Sequence, residues 1–446
     1  MVVSSCIGSG VFALTGQLAN VASPGAALVA WLVCGLGFLF LALALACVGS
    51  KRPELDGVCA YAEEGFGPFH GFISGWVYWL SAWLGNVGFA TMIAQVLGSK
   101  YCLGGLLPGV FSNPQTGNPA VVERGRHGRQ VRRHPSLHRL RVVSFNAGVF
   151  TADFWGTAQR NAVIMAANKT GLGSVAHKVT QCILVMMWVF IGIEGASVMS
   201  NRAKKKSEVG SATILGLVVL LILYIGASVI PYGVLSYKVL VAAPKPAAIT
   251  VFEHMLPGFG GAFISWAIII SVAGSWLSFT MLPAEVSSMM ADHHELPSKW
   301  GELNKKNSPQ YSLLIVGALT EIFIIVATFA ADAYTFAISM CTVTIVVTWA
   351  YAAAYQVKLA KANNDAGQMV IGVLALLFQV VGVLFTGWGF LLLACLGYIP
   401  GFFFYKQARD AEGSGIVKSE VVLAVVIAIA GIISIPLTAV GIIPVF

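Results

Sequence analysis

The sequence predicts an all-α, polytopic membrane protein that crosses the bilayer about eleven times. Three observations carry this. Of 446 residues, 57% are hydrophobic and only 10% charged, and the mean hydropathy is +0.81, far outside globular usage. Apolar runs near the ~20 residues that span a bilayer recur along the chain. Lys and Arg gather in alternate short loops, as membrane orientation requires.

Taken in order, residues 1–22 hold a short apolar stretch interrupted by Gly8-Ser9-Gly10. A handful of residues precede the interruption, so the first span reads as cut short at its start. Met1 to Ser5 carry no basic region of the kind that opens a secretory leader. Ala26–Val48 is a full span, closed by Lys51-Arg52-Pro53. Residues 51–69 read as a polar connection with Glu54, Asp56, Glu63 and Glu64. Gly71–Leu97 follows, with Ser81, Gly85, Asn86 and Phe89 at helical spacing. That stripe suits either a helix-packing seam or a cavity wall. Further spans are expected at Val179–Ser200, Ile214–Leu235, Phe263–Met289, Leu313–Ala331, Phe336–Leu359, Val370–Phe385, Phe390–Phe404 and Val421–Ile443. The turn Thr386-Gly387-Trp388 separates the two shorter runs.

One segment breaks the pattern. Residues 121–141 hold seven arginines, three histidines and one glutamate, and so carry most of the formal +8 charge. Alternating spans place Lys51, Lys204–Lys206, Lys299, Lys358, Lys406 and Lys418 on the cytoplasmic side. The arginine segment then falls outside, where the rule disfavours it. It has no apolar stretch of spanning length and is expected not to form a membrane helix. No aromatic interleaving or helical period marks a nucleic-acid site there. The eight cysteines are scattered without a CxxC pair, so neither a disulfide framework nor a zinc site is read.

The stretch Trp188-Val-Phe-Ile-Gly192-Ile-Glu194-Gly195 carries the most chemistry. Two glycines bracket a carboxylate inside an expected span. A charge at bilayer depth costs roughly 2.5–3.5 kcal/mol on insertion scales. Transporters use such interruptions, because the bared backbone N–H and C=O groups line a polar cavity. The other reading is close helix packing at Gly192 and Gly195 around a satisfied buried acid.

These motifs resemble those of the amino acid–polyamine–organocation transporters, and within them the basic amino acid antiporters of the arginine/ornithine type. The resembling stretches are Gly8-Ser9-Gly10-Val11-Phe12, Ser23-Pro24-Gly25-Ala26, Tyr61-Ala62, Gly65-Phe66-Gly67-Pro68-Phe69, Ser81-Ala82-Trp83-Leu84-Gly85-Asn86, Phe190–Ala196 and Met281–Glu285. The resemblance implies a LeuT-like inverted repeat of five helices, with helices 1 and 6 broken. Set against that plan, this chain is expected to lack helices 4 and 5 and the start of helix 1. It divides the chain into residues 1–100 (spans 1–3), 101–175 (the aberrant Arg/His-rich segment and loop), 176–360 (spans 6–10) and 361–446 (accessory spans).

It also implies the site. Ser9 and Gly10 amides face the substrate α-carboxylate, and carbonyls near Cys6 and Ile191 take the α-ammonium. Gly192 and Ala82 line the site, and Asn86 bonds the substrate or the unwound helix. Trp188 gates or stacks on the substrate, Phe279 stacks on the cationic side chain, and Glu194 is a coupling or structural acid. The implied function is exchange of arginine for ornithine across the cell membrane by alternating access. Its partners are basic amino acids and membrane lipid, with no cofactor, metal or nucleic acid; homo-oligomerisation stays open. The rival readings are a lysine or histidine permease, a non-functional frameshifted chain, and a membrane enzyme built on Asp292-His293-His294-Glu295. The last lacks the HExxH spacing of a metal enzyme.

Overall fold

In the computed structural model the described residues are predominantly helical, and the structure describes residues 6–55, 57–99, 101–102, 145–166, 173–198, 208–327 and 333–443. The arginine segment, and the expectation attached to it, lie outside the described residues. Eight described helices are long and apolar enough to cross a membrane. They are Pro24–Lys51, Pro68–Leu97, Val209–Val234, Gly260–Asp292, Tyr334–Ala362, Ala366–Leu384, Trp388–Glu412 and Lys418–Ala439, and Ser174–Val189 and Gln310–Val326 are shorter apolar helices. All coincide with expected spans. The chain is therefore a multi-pass membrane protein.

Local chemistry sets several boundaries. Pro24 and Pro68 occupy the first turns of their helices, where the missing N–H costs nothing and the fixed φ helps. Asp365 caps the helix Ala366–Thr386 through the Gln368 amide at 3.1 Å. Gly413 closes Tyr398–Glu412 in the left-handed conformation.

Two loops differ from expectation. Residues 51–69 contain a helix, Gly57–Phe66, whose Val58, Cys59, Tyr61 and Ala62 are buried. Its charged residues are concentrated at Glu63 and Glu64 near its end, so the apolar face behind them went unread. Residues 145–166 likewise hold two short helices, Ala147–Ala152 and Ala158–Ala166.

Lys51, Arg52 and Lys358 gather at one end of the bundle. Lys51 pairs with Asp365 at 3.3 Å, Arg52 with Glu54 and Glu64, and Lys358 donates to the Gly65 carbonyl at 2.6 Å. In the Asp292–Glu295 group the two histidines diverge. His293 pairs with Glu63, whereas His294 reaches Glu412 at 3.7 Å. Glu295 turns inward and is buried. That burial, with the neighbouring Glu63, pushes its carboxyl well above the usual range against the opposing pull of Arg409.

Close helix approach depends on glycine at Gly210. A Cβ there would meet the Ala46 carbonyl oxygen at 2.9 Å and its Cα at 3.1 Å, both backbone atoms. Gly210→Val is expected to destabilise the fold by about 1–3 kcal/mol through overpacking. Heating followed by fluorescence-detected size exclusion checks this; an unshifted melting curve would contradict the packing described.

Candidate functional site

The helix Ser174–Val189 stops in the middle of the bundle, and helix resumes at Gly195–Val198. Between them Gly192 adopts φ +105°, a conformation that any Cβ would strain. The turn frees backbone groups, and buried backbone groups must find partners. Glu194 supplies one. Its carboxylate accepts from the Gly192 amide at 3.1 Å and from the Trp349 indole N–H at 3.0 Å. Glu194 is 1% exposed. It is a satisfied buried acid that holds the break open, two residues beyond the glycine that makes it.

The second break faces the first. Helix Ser9–Val21 begins after a bend at Ile7-Gly8, and no side chain caps it. Its first amides therefore remain available as donors. Gly10 lies directly against the end of the other helix: a Cβ there would meet Val189 Cγ1 at 2.6 Å. The Cys6 thiol points to the Phe190 carbonyl at 3.8 Å. The Tyr224 hydroxyl sits between the two breaks, 2.7 Å from the Cys6 carbonyl and 2.8 Å from the Val189 carbonyl. One hydroxyl proton serves one of these oxygens at a time. The Ile7 carbonyl accepts from Ser275 at 2.8 Å and Ser271 at 3.0 Å.

The helix Pro68–Leu97 brings the stripe of small and polar residues to this junction. Ser81 donates to the Cys341 carbonyl at 2.8 Å, and Ala82 is buried beside it. At this level the stripe is a packing seam. One turn on, Gly85 lets the Phe279 ring approach, with a would-be Cβ 3.0 Å from Cδ1. Asn86 reaches the Phe279 carbonyl through its amide at 3.5 Å, while its own oxygen is buried and unpartnered. That carbonyl is free because Pro283, four residues on, has no N–H to give it.

Trp188 and Phe279 do not touch. Phe89 stands between them, its ring centroid 6.1 Å from Trp188 and 5.0 Å from Phe279, edge-on to the latter. Sequence reasoning placed Phe89 on the right face but missed Tyr224, Trp349 and Tyr334. The Ser9 hydroxyl and the Trp188 indole N–H both face the Tyr334 hydroxyl, yet none of the three closes a hydrogen bond. Nothing in the sequence marks an isolated Tyr or Trp in an apolar helix as facing a break two helices away.

Comparison with known proteins places these features in a family. The sequence pattern of the amino acid permease family matches residues 1–104 and 142–434. The interval between the matched blocks contains the arginine segment. The arginine/ornithine antiporter of Latilactobacillus sakei is 43% identical, the match covering 99% of this chain and 96% of that protein. An arginine/ornithine antiporter of Lactococcus lactis is 36% identical, over 98% of this chain and 88% of that protein. The arginine/agmatine antiporter of Chlamydia pneumoniae is 32% identical, over 87% and 82%.

Removing the acid that satisfies the break tests its support of the turn. Glu194→Ala leaves the Gly192 amide and the Trp349 indole without their acceptor, at about 1–3 kcal/mol for each buried group. Glu194→Gln keeps an acceptor oxygen and should retain most of that stability. Equal melting temperatures for Glu194→Ala and the parent would show that the carboxylate does not support the turn.

Proposed function

The chain belongs to the amino acid permease family, and on that premise we propose that it exchanges arginine for ornithine across the cell membrane by alternating access. The observation that carries this is the pair of facing helix breaks, with uncapped amides at Ser9–Gly10 and convergent carbonyls at Cys6 and Val189. An α-amino acid presents a carboxylate and an ammonium a few ångströms apart. The amides suit the first and the carbonyls the second. The Cys6 carbonyl also accepts from the Gly8 amide at 2.8 Å, and the ammonium takes up the acceptor capacity that this amide and the single Tyr224 proton leave over. The printed names of the relatives supply the substrate pair.

On this reading the core is the LeuT-like inverted repeat, with Ser9–Val21 as part of helix 1 and Ser174–Val198 as helix 6. The segment 101–175 departs from that plan, and residues 361–446 are accessory spans. Cys6, Ser9, Gly10, Ile191 and Gly192 contribute backbone to the substrate site. Asn86 and Ala82 line it from the third span. Trp188, Phe89 and Phe279 form an aromatic wall along which the cationic side chain lies, and Phe89 must shift for that side chain to reach both outer rings. Glu194 acts on the site by fixing the turn rather than by touching the substrate. Arginine and ornithine carry equal charge, so one-for-one exchange moves no net charge and needs no ion gradient.

Two experiments test this. Labelled arginine should enter proteoliposomes loaded with ornithine, and collapsing the membrane potential should leave the rate unchanged. Equal uptake into loaded and empty vesicles would rule out obligatory exchange. Within the site, Phe279→Leu keeps apolar volume but removes the ring quadrupole. Arginine affinity should fall about fivefold relative to that for a neutral amino acid, and Phe279→Trp should keep or improve it. Equal losses for both ligands would mean that Phe279 only packs.

A further inference from the structure

Residues 145–166 belong to the stretch that departs from the repeat plan, yet they are fastened to the outer side of the molecule, away from the end where Lys51, Arg52 and Lys358 gather. The segment gains little from apolar burial: within its two short helices Ile164 is the one buried residue. Hydrogen bonds hold it, and they run to four helix ends. The Phe154 carbonyl accepts from the Gly25 amide at 2.8 Å, at the start of helix Pro24–Lys51. The Asn146 amide donates to the Gly233 carbonyl at 2.8 Å, in the turn Pro231–Val234. Arg160 donates through Nη2 to the Asn20 carbonyl at 2.6 Å, in the last turn of helix Ser9–Val21.

The fourth fastening is Lys178, in the second turn of helix Ser174–Val189. It is fully buried. An ammonium has three donors, and its described partners are three uncharged oxygens: the Trp155 carbonyl at 2.9 Å, Asn161 Oδ1 at 2.5 Å and Ser23 Oγ at 3.5 Å. The Asn161 amide in turn lies 3.2 Å from the Trp155 carbonyl and 3.3 Å from the Gly156 carbonyl, which orients the oxygen that Lys178 meets. Burying a cation on neutral partners is costly, and an exposed surface loop needs no such anchor.

The helices joined in this way explain the anchor. Ser9–Val21 and Ser174–Val189 are the half-helices that end at the two breaks. They meet at the break end, Gly10 against Val189, and are tied at the outer end through Arg160 and Lys178. The amides suited to a carboxylate belong to one half-helix, and the Val189 carbonyl suited to an ammonium belongs to the other. An amino-acid head held across both stays held only while their relative angle is constant. We propose that residues 145–166 are a brace rather than a lid, with Lys178 as the positioning residue: the segment keeps the two half-helices at one angle through the whole exchange cycle, so that both breaks turn together. The effect on transport rests on the exchange reading; the brace itself does not.

Hydrogen–deuterium exchange of the full chain in nanodiscs, with and without saturating arginine or ornithine, tests this. Protection of the amides in 145–166 should be the same in all three conditions. Lys178→Met should speed amide exchange in 145–166 about tenfold. It should also lower arginine–ornithine turnover per folded molecule about fivefold with the arginine KM little changed, since Lys178 lies about 15 Å along the helix from Trp188. Arg160→Met should act in the same direction in smaller measure, and Arg160→Lys should restore the parent values; this pair decides the matter if Lys178→Met does not fold. Protection that changes with either ligand would make the segment a lid and overturn the brace. So would a segment freed by substitution with turnover unchanged, or protection lost across the whole bundle. Absence of ornithine-dependent uptake by the parent chain would overturn the exchange reading, while the hydrogen-exchange comparison would still decide between brace and lid.

Discussion

A helix that stops inside a membrane protein exposes backbone N–H and C=O groups where no water is at hand to meet them. Each such group left alone costs on the order of several kcal/mol. Most of the backbone groups bared near the centre of this molecule have found a partner, and the uncapped amides of Ser9 and Gly10 are the exception. Glu194 reaches back to the Gly192 amide and is held by Trp349. Tyr224 spans the carbonyls of Cys6 and Val189, and two serines meet the carbonyl of Ile7. Pro283 adds a third bared carbonyl at Phe279, which Asn86 approaches loosely at 3.5 Å.

The same arrangement is what lets a chain of apolar helices handle a charged metabolite. Hydroxyl and amide partners are exchangeable, so a substrate ammonium or carboxylate can take their place at little net cost. The surrounding frame is less forgiving. Gly10 lies against Val189 too closely for a Cβ to fit without a shift, and Gly85 seats the Phe279 ring with little room to spare. The aromatic wall of Trp188, Phe89 and Phe279 therefore has to change by ring rotation or by movement of whole helices, which is the kind of step alternating access requires.

Much of this was legible in the sequence, because membrane spans are written in long apolar runs and breaks in glycine. The positions of the described spans, the interruption at Gly192 and the burial of the Ser81–Phe89 stripe all followed from spacing and residue type. What escaped was set by tertiary contact. Tyr224, Trp349 and Tyr334 sit in apolar helices with no local mark; the partners of the first two lie 35 and 155 residues away, and Ser9, which Tyr334 faces, more than 300. The helix Gly57–Phe66 escaped because its acidic end reads as a loop, although its other face is core. Trp188 and Phe279 were each expected at the substrate's cationic side chain, and Phe89 stands between them, at a ring position no spacing rule could give.

The central claim is that the substrate sits between the two helix breaks. The most direct measurement is a cryo-electron microscopy map of the full chain with arginine bound. The account predicts ligand density with its carboxylate at the amides of Ser9 and Gly10, its ammonium at the carbonyls of Cys6 and Val189, and its guanidinium along Trp188 and Phe279. Density at any other place, with the breaks still closed by Tyr224 and Glu194 alone, would contradict it.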